Sequence, residues 1–212
     1  HNAKLDYQTP FGLKAGAEFT YYHSPGSQLL HSTLGEETMN FLSRDNQRIN
    51  QWRFYAGQEH TLGADWGLNY GVAYTTALDN SYQMYFDPET ETLLPDNNMQ
   101  SRRREQTLNF YAGLSKSFGE KLSADVSLAA EQYHTDMWNE WNLYPVANLT
   151  YLPASGHILQ FSLSSDKEYP EYWSMQNSTS YMGAYSEIQG NPFIKPATNY
   201  ETTLSYILKG KY

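Results

Sequence analysis

The sequence predicts an all-β protein, an antiparallel meander of about eight transmembrane strands forming a partial wall of a large outer-membrane β-barrel. Three observations carry this. Apolar residues recur with a period of two along successive stretches, the connections between those stretches alternate between short and long, and no apolar run approaches the roughly 18 residues that a membrane-crossing helix needs. Aromatic residues fill 16% of the 212 positions, with 19 Tyr, yet the mean hydropathy is −0.69. Apolar surface is therefore present but interleaved with polar residues. A chain without apolar helices that crosses lipid must do so as a closed sheet, because every backbone group there needs a partner.

In chain order, Lys4-Leu5-Asp6-Tyr7-Gln8 followed by Thr9-Pro10-Phe11-Gly12 reads as the tail of a strand entering a tight turn, so the chain begins in mid-sheet. Leu13, Ala15, Ala17, Phe19 and Tyr21 then alternate with Lys14, Gly16, Glu18 and Thr20. Near 49–60 the apolar set is Trp52, Phe54 and Ala56. Over 66–78 the even positions read Trp, Leu, Tyr, Val, Tyr, Thr, Leu against small or polar odd positions. A strand sends such sets to opposite faces, whereas a helix would scatter them. Leu108, Phe110, Ala112 and Leu114 continue the series, as do Leu122, Ala124, Val126, Leu128 and Ala130. Near 143–152 the alternation loosens, with Ala147, Leu149 and Tyr151 against Asn148 and Thr150. Leu159, Phe161 and Leu163, then Leu204, Tyr206 and Leu208, complete the set.

Short turns are expected at Leu62-Gly63-Ala64-Asp65, Phe118-Gly119-Glu120-Lys121 and Pro153-Ala154-Ser155-Gly156. Longer polar connections are expected at 25–47, 87–104 and 166–198, with a shorter one near 136–142. Outer-membrane barrels pair short periplasmic turns with longer outside loops. Tyr21, Tyr22, Tyr82, Tyr85, Phe86, Trp138 and Trp141 fall at strand ends leading into the long connections, where a girdle at headgroup level would place them.

Cysteine is absent, which leaves no disulfide framework and no thiolate metal site. A net charge of −9 argues against nucleic acid as a partner. His1-Asn2-Ala3-Lys4 lacks the apolar core of a signal peptide, and the segment is expected to be an excised piece of a longer chain.

No catalytic, cofactor-binding or metal-binding residues are assigned, and substrate-binding residues stay unknown. Nucleotide-binding, zinc-protease and serine-hydrolase motifs are missing. His134, Asp136 and Glu131 resemble a metal cluster in composition, but period two sets His134 and Glu131 on opposite faces, and a solvated histidine at a loop base is the better reading. Arg102-Arg103-Arg104-Glu105 has the chemistry to hold lipopolysaccharide phosphates, although a solvated charge cluster explains the run equally well. Asp87-Pro88-Glu89-Thr90-Glu91 offers oxygens to calcium without ligand spacing, so loop solvation accounts for it. Lys14, Glu18, Asn69, Asp125 and Glu131 face inward in this reading and line either a transport path or simply a wet lumen.

The stretch from 143 to 212 also resembles a known family. Leu143-Tyr144-Pro145-Val146-Ala147-Asn148-Leu149-Thr150-Tyr151 and His157-Ile158-Leu159-Gln160-Phe161-Ser162-Leu163-Ser164 are similar to successive strands of the TonB-dependent outer-membrane receptors of Bacteroidetes. Gly190-Asn191-Pro192-Phe193-Ile194-Lys195-Pro196 resembles their G-N-P-x-L-K-P segment, with Ile194 where Leu is usual and Ala197 where an acidic residue often follows. Asp6 to Phe11 and Phe110 to Glu131 match in order and spacing. Pro192 and Pro196 lack donors and favour extended backbone, so the segment reads as structural.

The resemblance implies an uptake receptor for a scarce or bulky nutrient such as a ferric siderophore, cobalamin or glycan. It implies a plug domain and further strands outside these residues, TonB reached through that plug, outer-membrane lipid and lipopolysaccharide around the wall, no cofactor and no enzymatic activity. Tyr212 is then not a C-terminal assembly signal. A complete eight-stranded outer-membrane barrel with an adhesin or structural role is the alternative, and it requires a closed sheet. A barrel hydrolase needs a Ser/His/acid set at one height, which the strands do not supply.

Overall fold

A computed structural model describes residues 1–63, 65–95, 98–175, 177, 179–183 and 186–209, with backbone alone for 34, 37, 172, 173, 182 and 183. Nine strands form one antiparallel sheet: β1 (Asn2–Gln8), β2 (Lys14–Leu34), β3 (Glu37–Leu62), β4 (Trp66–Phe86), β5 (Met99–Phe118), β6 (Leu122–Thr135), β7 (Asn139–Tyr151), β8 (His157–Glu168) and, after a long loop, β11 (Ala197–Leu208). Within that loop lie a single 3-10 turn (Tyr172–Met175) and a hairpin of β9 (Thr179–Gly183) and β10 (Ser186–Gln189). The eight alternating stretches and the short tail at 4–8 all become strands of this sheet. The nine strands stand side by side in chain order, and β1 and β11 are the two edges. The described sheet does not close on itself, which is the geometry expected of a partial wall and not of a complete small barrel.

Register makes the two faces explicit. Leu5, Ala17, Phe54, Tyr74 and Leu108 are successive cross-strand partners. So are Leu68, Leu114, Val126, Ala147, Leu163 and Thr202. One residue out of phase run Asp6, Gly16, Tyr55, Ala73, Asn109 and Glu131. Because the side-chain period is two, one register fixes the whole apolar set on one face. Leu5, Phe54, Phe110, Leu128 and Leu204 stand exposed there, covered by nothing among the described residues. An apolar surface of this extent is not tolerated in water and fits lipid.

The buried apolar residues of the sheet lie on the opposite face. Phe41, Ala77, Tyr85, Met99, Tyr133 and Tyr144 occupy its register and, with Met175 of the loop, are the buried apolar side chains among the described residues. The core is therefore a contact between this face and the loop folded over it. That defines the face as the lumen side.

The 25–47 connection is not a loop. β2 and β3 continue as a ladder to Leu34↔Glu37, closed by a tight turn with Gly35 at φ +59°. At about 3.3 Å per residue a strand as long as β3 reaches roughly 85 Å, far beyond the ~25 Å apolar band of such walls, so the hairpin projects from the membrane. Pro25 and Gly26, residue types that commonly interrupt strands, are tolerated because β1 pairs β2 only up to Thr20, leaving Pro25 in an edge portion. The other long connections shorten to 87–98 and 169–196, and the one near 136–142 to Asp136, Met137 and Trp138. At the opposite end the turns are short, with Gly12, Asp65, Gly119 and Gly156 at positive φ. Ala64 of the first expected turn, residues 96, 97, 176, 178, 184 and 185 of the loops, and Tyr212 lie outside the described residues.

The girdle is only partly as expected. Tyr21, Tyr82, Phe86 and Trp141 share the apolar face, whereas Tyr22 and Tyr85 point to the lumen side by register, and Trp138 lies in a turn. A second aromatic level sits near the short turns. Lys116 lies over Trp66 at 4.4 Å and over Phe118 at 5.2 Å, and Tyr151 and Tyr206 flank the same end. Amphipathic rings and a lysine head at one level mark a membrane boundary.

The lumen face, its inward loop and the family of the chain

On the lumen face, glycines let tyrosines lie flat. Gly57, Gly71 and Tyr111 are successive partners, and a Cβ on Gly71 would come within 2.6 Å of both Tyr111 and the Ala56 carbonyl oxygen. The phenol thus covers Gly71 and Gly57. Gly71→Val is expected to lift Tyr111 and destabilise the fold by about 1–3 kcal/mol, measured by denaturant titration in detergent; Ala73→Ser, on the same face, is expected to be near neutral.

Charged groups pair both along and across strands. Lys4 lies 3.2 Å from Asp6 and 3.4 Å from Glu18, Arg53 lies 3.1 Å from Glu18, and the Tyr55 hydroxyl donates to Asp6. Higher up, Arg103 Nε donates to Glu105 at 2.8 Å, and the Tyr133 hydroxyl donates to the same carboxylate at 2.9 Å. Lys14, Glu18, Asn69, Asp125 and Glu131 all take the lumen register, as the alternation predicted. The sorting extends further: Asp6, Glu18, Asp45, Glu59, Asp79, Glu105, Asp125, Glu131 and Glu140, the described carboxylates of β1–β7, occupy this face.

The loop after β8 turns back over this face. Lys167 Nζ contacts Glu131 at 2.5 Å and stacks over the rings of Tyr133 and Tyr169 at 4.3 and 4.6 Å. The Tyr169 hydroxyl donates to Glu131 at 3.0 Å. Burial, reinforced by the Glu131 charge and hydrogen bond, pushes the Tyr169 phenol up, so it stays a neutral donor. Further along, Tyr181 packs on Phe41 (5.3 Å between centroids) and Tyr85 (6.0 Å), and the Tyr85 hydroxyl donates to the Thr179 carbonyl. Beneath the loop a cavity of about 580 Å³ is lined by Gln51, Arg53, Glu105, Glu131, Tyr169 and Met175, among others.

The wall also parts beside this loop. β7 and β8 pair only between Ala147–Leu163 and Tyr151–Leu159. Above that level Pro145, which has no donor, receives a 2.7 Å hydrogen bond from the Ser165 hydroxyl, and Tyr200 reaches the Leu143 carbonyl at 3.1 Å. The freed end of β8 is what carries Lys167 and Tyr169 inward.

The 190–196 segment anchors the return. Asn191 accepts from Phe193 N at 2.9 Å and donates through its own N to the Ser174 carbonyl at 2.7 Å. Lys195 reaches Glu140 at 2.5 Å and lies 4.0 Å over Trp138. Its polar groups are spent on the loop and on the β6–β7 hairpin, consistent with a structural role.

The remaining candidates separate. Glu131 faces the lumen while His134 pairs with Gln106 and Asn139 on the outer register. Among the described residues no group of three His, Asp or Glu is arranged to hold a metal. Asp87 accepts from Thr90 N at 2.8 Å, Thr90 Oγ1 at 3.0 Å and Glu89 N at 2.9 Å, and these donors hold its carboxyl below the usual range. Glu91 pairs with Arg44 at 3.2 Å. The acidic run is thus turned on its own loop. The run at 102–104 divides, Arg103 facing inward and Arg102 and Arg104 outward.

A family model described as the outer membrane protein beta-barrel family matches residues 12–212. The chain belongs to that family. Its lipid-facing sheet is accordingly part of a bacterial outer-membrane wall. No curated protein matches the chain. Among solved structures, the copper transporter OprC superposes with a TM-score of 0.62 at 13% identity, over 99% of this chain and 36% of OprC. FpvA of P. aeruginosa, solved bound to heterologous pyoverdines, gives a TM-score of 0.52 at 10% identity, over 96% of this chain and 29% of FpvA. These likenesses are of fold. The family member described here spans about a third of the length of those proteins.

Proposed function

We propose that this chain is the barrel segment of a TonB-dependent uptake receptor of the Bacteroidetes type, importing a scarce or bulky nutrient such as a ferric siderophore, cobalamin or a glycan. In this reading a plug domain and further strands, supplied by residues outside 1–212, complete the barrel, and the plug contacts TonB. The observation that carries it is the loop at 169–196, folded onto a polar lumen face over a cavity of about 580 Å³, within the range of small-molecule sites. An adhesin or purely structural barrel gains nothing from an inward loop with tyrosines and paired charges.

The test is uptake by cells carrying the full-length receptor, screened with ferric siderophores, cobalamin and oligosaccharides. Accumulation of one class should fall at least about tenfold when TonB is deleted, with surface binding retained. Uptake indifferent to TonB, or binding of none of these classes, would sink the reading.

A further inference from the structure

Charge is segregated across the wall. The described carboxylates of β1–β7 face the lumen, whereas the outward register of β2–β7 carries Arg44, Arg48, Arg102, Arg104 and Lys116. In a chain of net charge −9 this one-sided exclusion of anions calls for a cause outside the protein. Arg44 is taken by Glu91 and Lys116 by the rings near the short turns. The other three remain. Arg48, Asn80 and Arg102 are successive partners across β3, β4 and β5, Arg104 follows on the same face of β5, and all three arginines are exposed with no ion pair among the described residues.

At about 4.8 Å between strands and ~6.8 Å between alternate residues, the three guanidinium stems start within roughly 12 Å of one another. They sit at the loop-side end of the apolar band: one step below the row of Arg48 and Arg102, Leu78 and Tyr21 share the row of Arg104 and belong to the membrane-facing set. Alongside runs a groove of about 370 Å³ lined by Arg48, Arg102, Asn80, Tyr82, Gln100 and Asn46. Asn46 is more than nine-tenths buried, and its amide oxygen has no partner among the described residues.

We infer that Arg48, Arg102 and Arg104 form a binding site for the phosphorylated headgroup of the outer-leaflet glycolipid, lipid A. Guanidinium forks bind phosphate oxygens in pairs, the apolar belt below receives the acyl chains, and Asn80, Gln100 and Asn46 supply hydrogen bonds to the sugar. Arg103, engaged with Glu105, takes no part. The inference rests on the wall being embedded in the outer membrane.

The test uses the full-length receptor, wild type and the triple variant Arg48→Gln/Arg102→Gln/Arg104→Gln, placed in phosphatidylcholine nanodiscs doped with bis-phosphorylated or dephosphorylated lipid A. Wild type should retain phosphorylated lipid A about tenfold or more above the triple variant, and above the dephosphorylated lipid. Millimolar inorganic phosphate should not displace it. Arg103→Gln should leave retention unchanged. Equal retention by wild type and the triple variant, indifference to the phosphates, or displacement by free phosphate would overturn the site. Heat-modifiable gel mobility and insertion into the nanodisc are read separately: loss of insertion by wild type would instead overturn the membrane-wall reading.

Discussion

Leu128→Arg is expected to destabilise the folded wall by about 2–4 kcal/mol, while Ser127→Arg, one residue earlier, should cost under about 1 kcal/mol. Leu128 lies on the outward face between Ala112 and Pro145, well inside the apolar belt. A guanidinium there must be drawn out of hydrocarbon or carry water with it. Ser127, between Gly113 and Val146, belongs to the lumen register, where a long cation finds water and carboxylates. Unfolding by guanidinium in lipid vesicles measures both. The contrast matters more than either value, because a soluble two-layer protein would punish the position facing its core, and the more buried face here is the lumen side. Equal costs at 127 and 128 would contradict the assignment of faces.

The second large effect concerns the inward loop. Lys167→Met is expected to cost about 3 kcal/mol and to release the loop. The Lys167 and Glu131 side chains are only 7% and 13% exposed, so removing the ammonium leaves a carboxylate with little water and, among the described residues, only the Tyr169 hydroxyl donating to it. The thioether stem keeps most of the packing on Tyr133 and Tyr169, which isolates the charge term. Adding Glu131→Gln should recover much of the loss, since a neutral amide demands less of its surroundings. Limited proteolysis within 169–196 reports the loop and denaturant titration the whole wall. A change under about 0.5 kcal/mol in the single variant, or no recovery in the double, would show that the pair does not hold the loop.

How much of this was legible follows from what each feature depends on. The faces were legible at Leu68, Leu114 and Val126 because a strand's side-chain period is two and both neighbours obey it, so local sequence and sheet register agree. The inward set Lys14, Glu18, Asn69, Asp125 and Glu131 followed from the same rule. The same period also separates Tyr21 from Tyr22 and Arg103 from Arg102 and Arg104, because adjacent residues of a strand face opposite sides. The level of Trp66 and Phe118 was signalled by their place beside the short turns. The extended β2–β3 hairpin was masked by Pro25 and Gly26, whose local preference for turns is overridden where a strand has a free edge.

The sequence by itself determined the nine wall strands over their membrane-crossing parts, their two faces, the short turns and membership of an outer-membrane β-barrel family, because alternation and short motifs depend on neighbours a few residues away. Only the tertiary structure decided that the 169–196 loop lies over the lumen, that Lys167 meets Glu131, and that Arg48 of β3 joins Arg102 and Arg104 of β5 on the outer face. Those contacts join residues distant along the chain, and their partners are chosen by the register of the ladders and by the parting of β7 from β8 at Pro145. No periodicity encodes that.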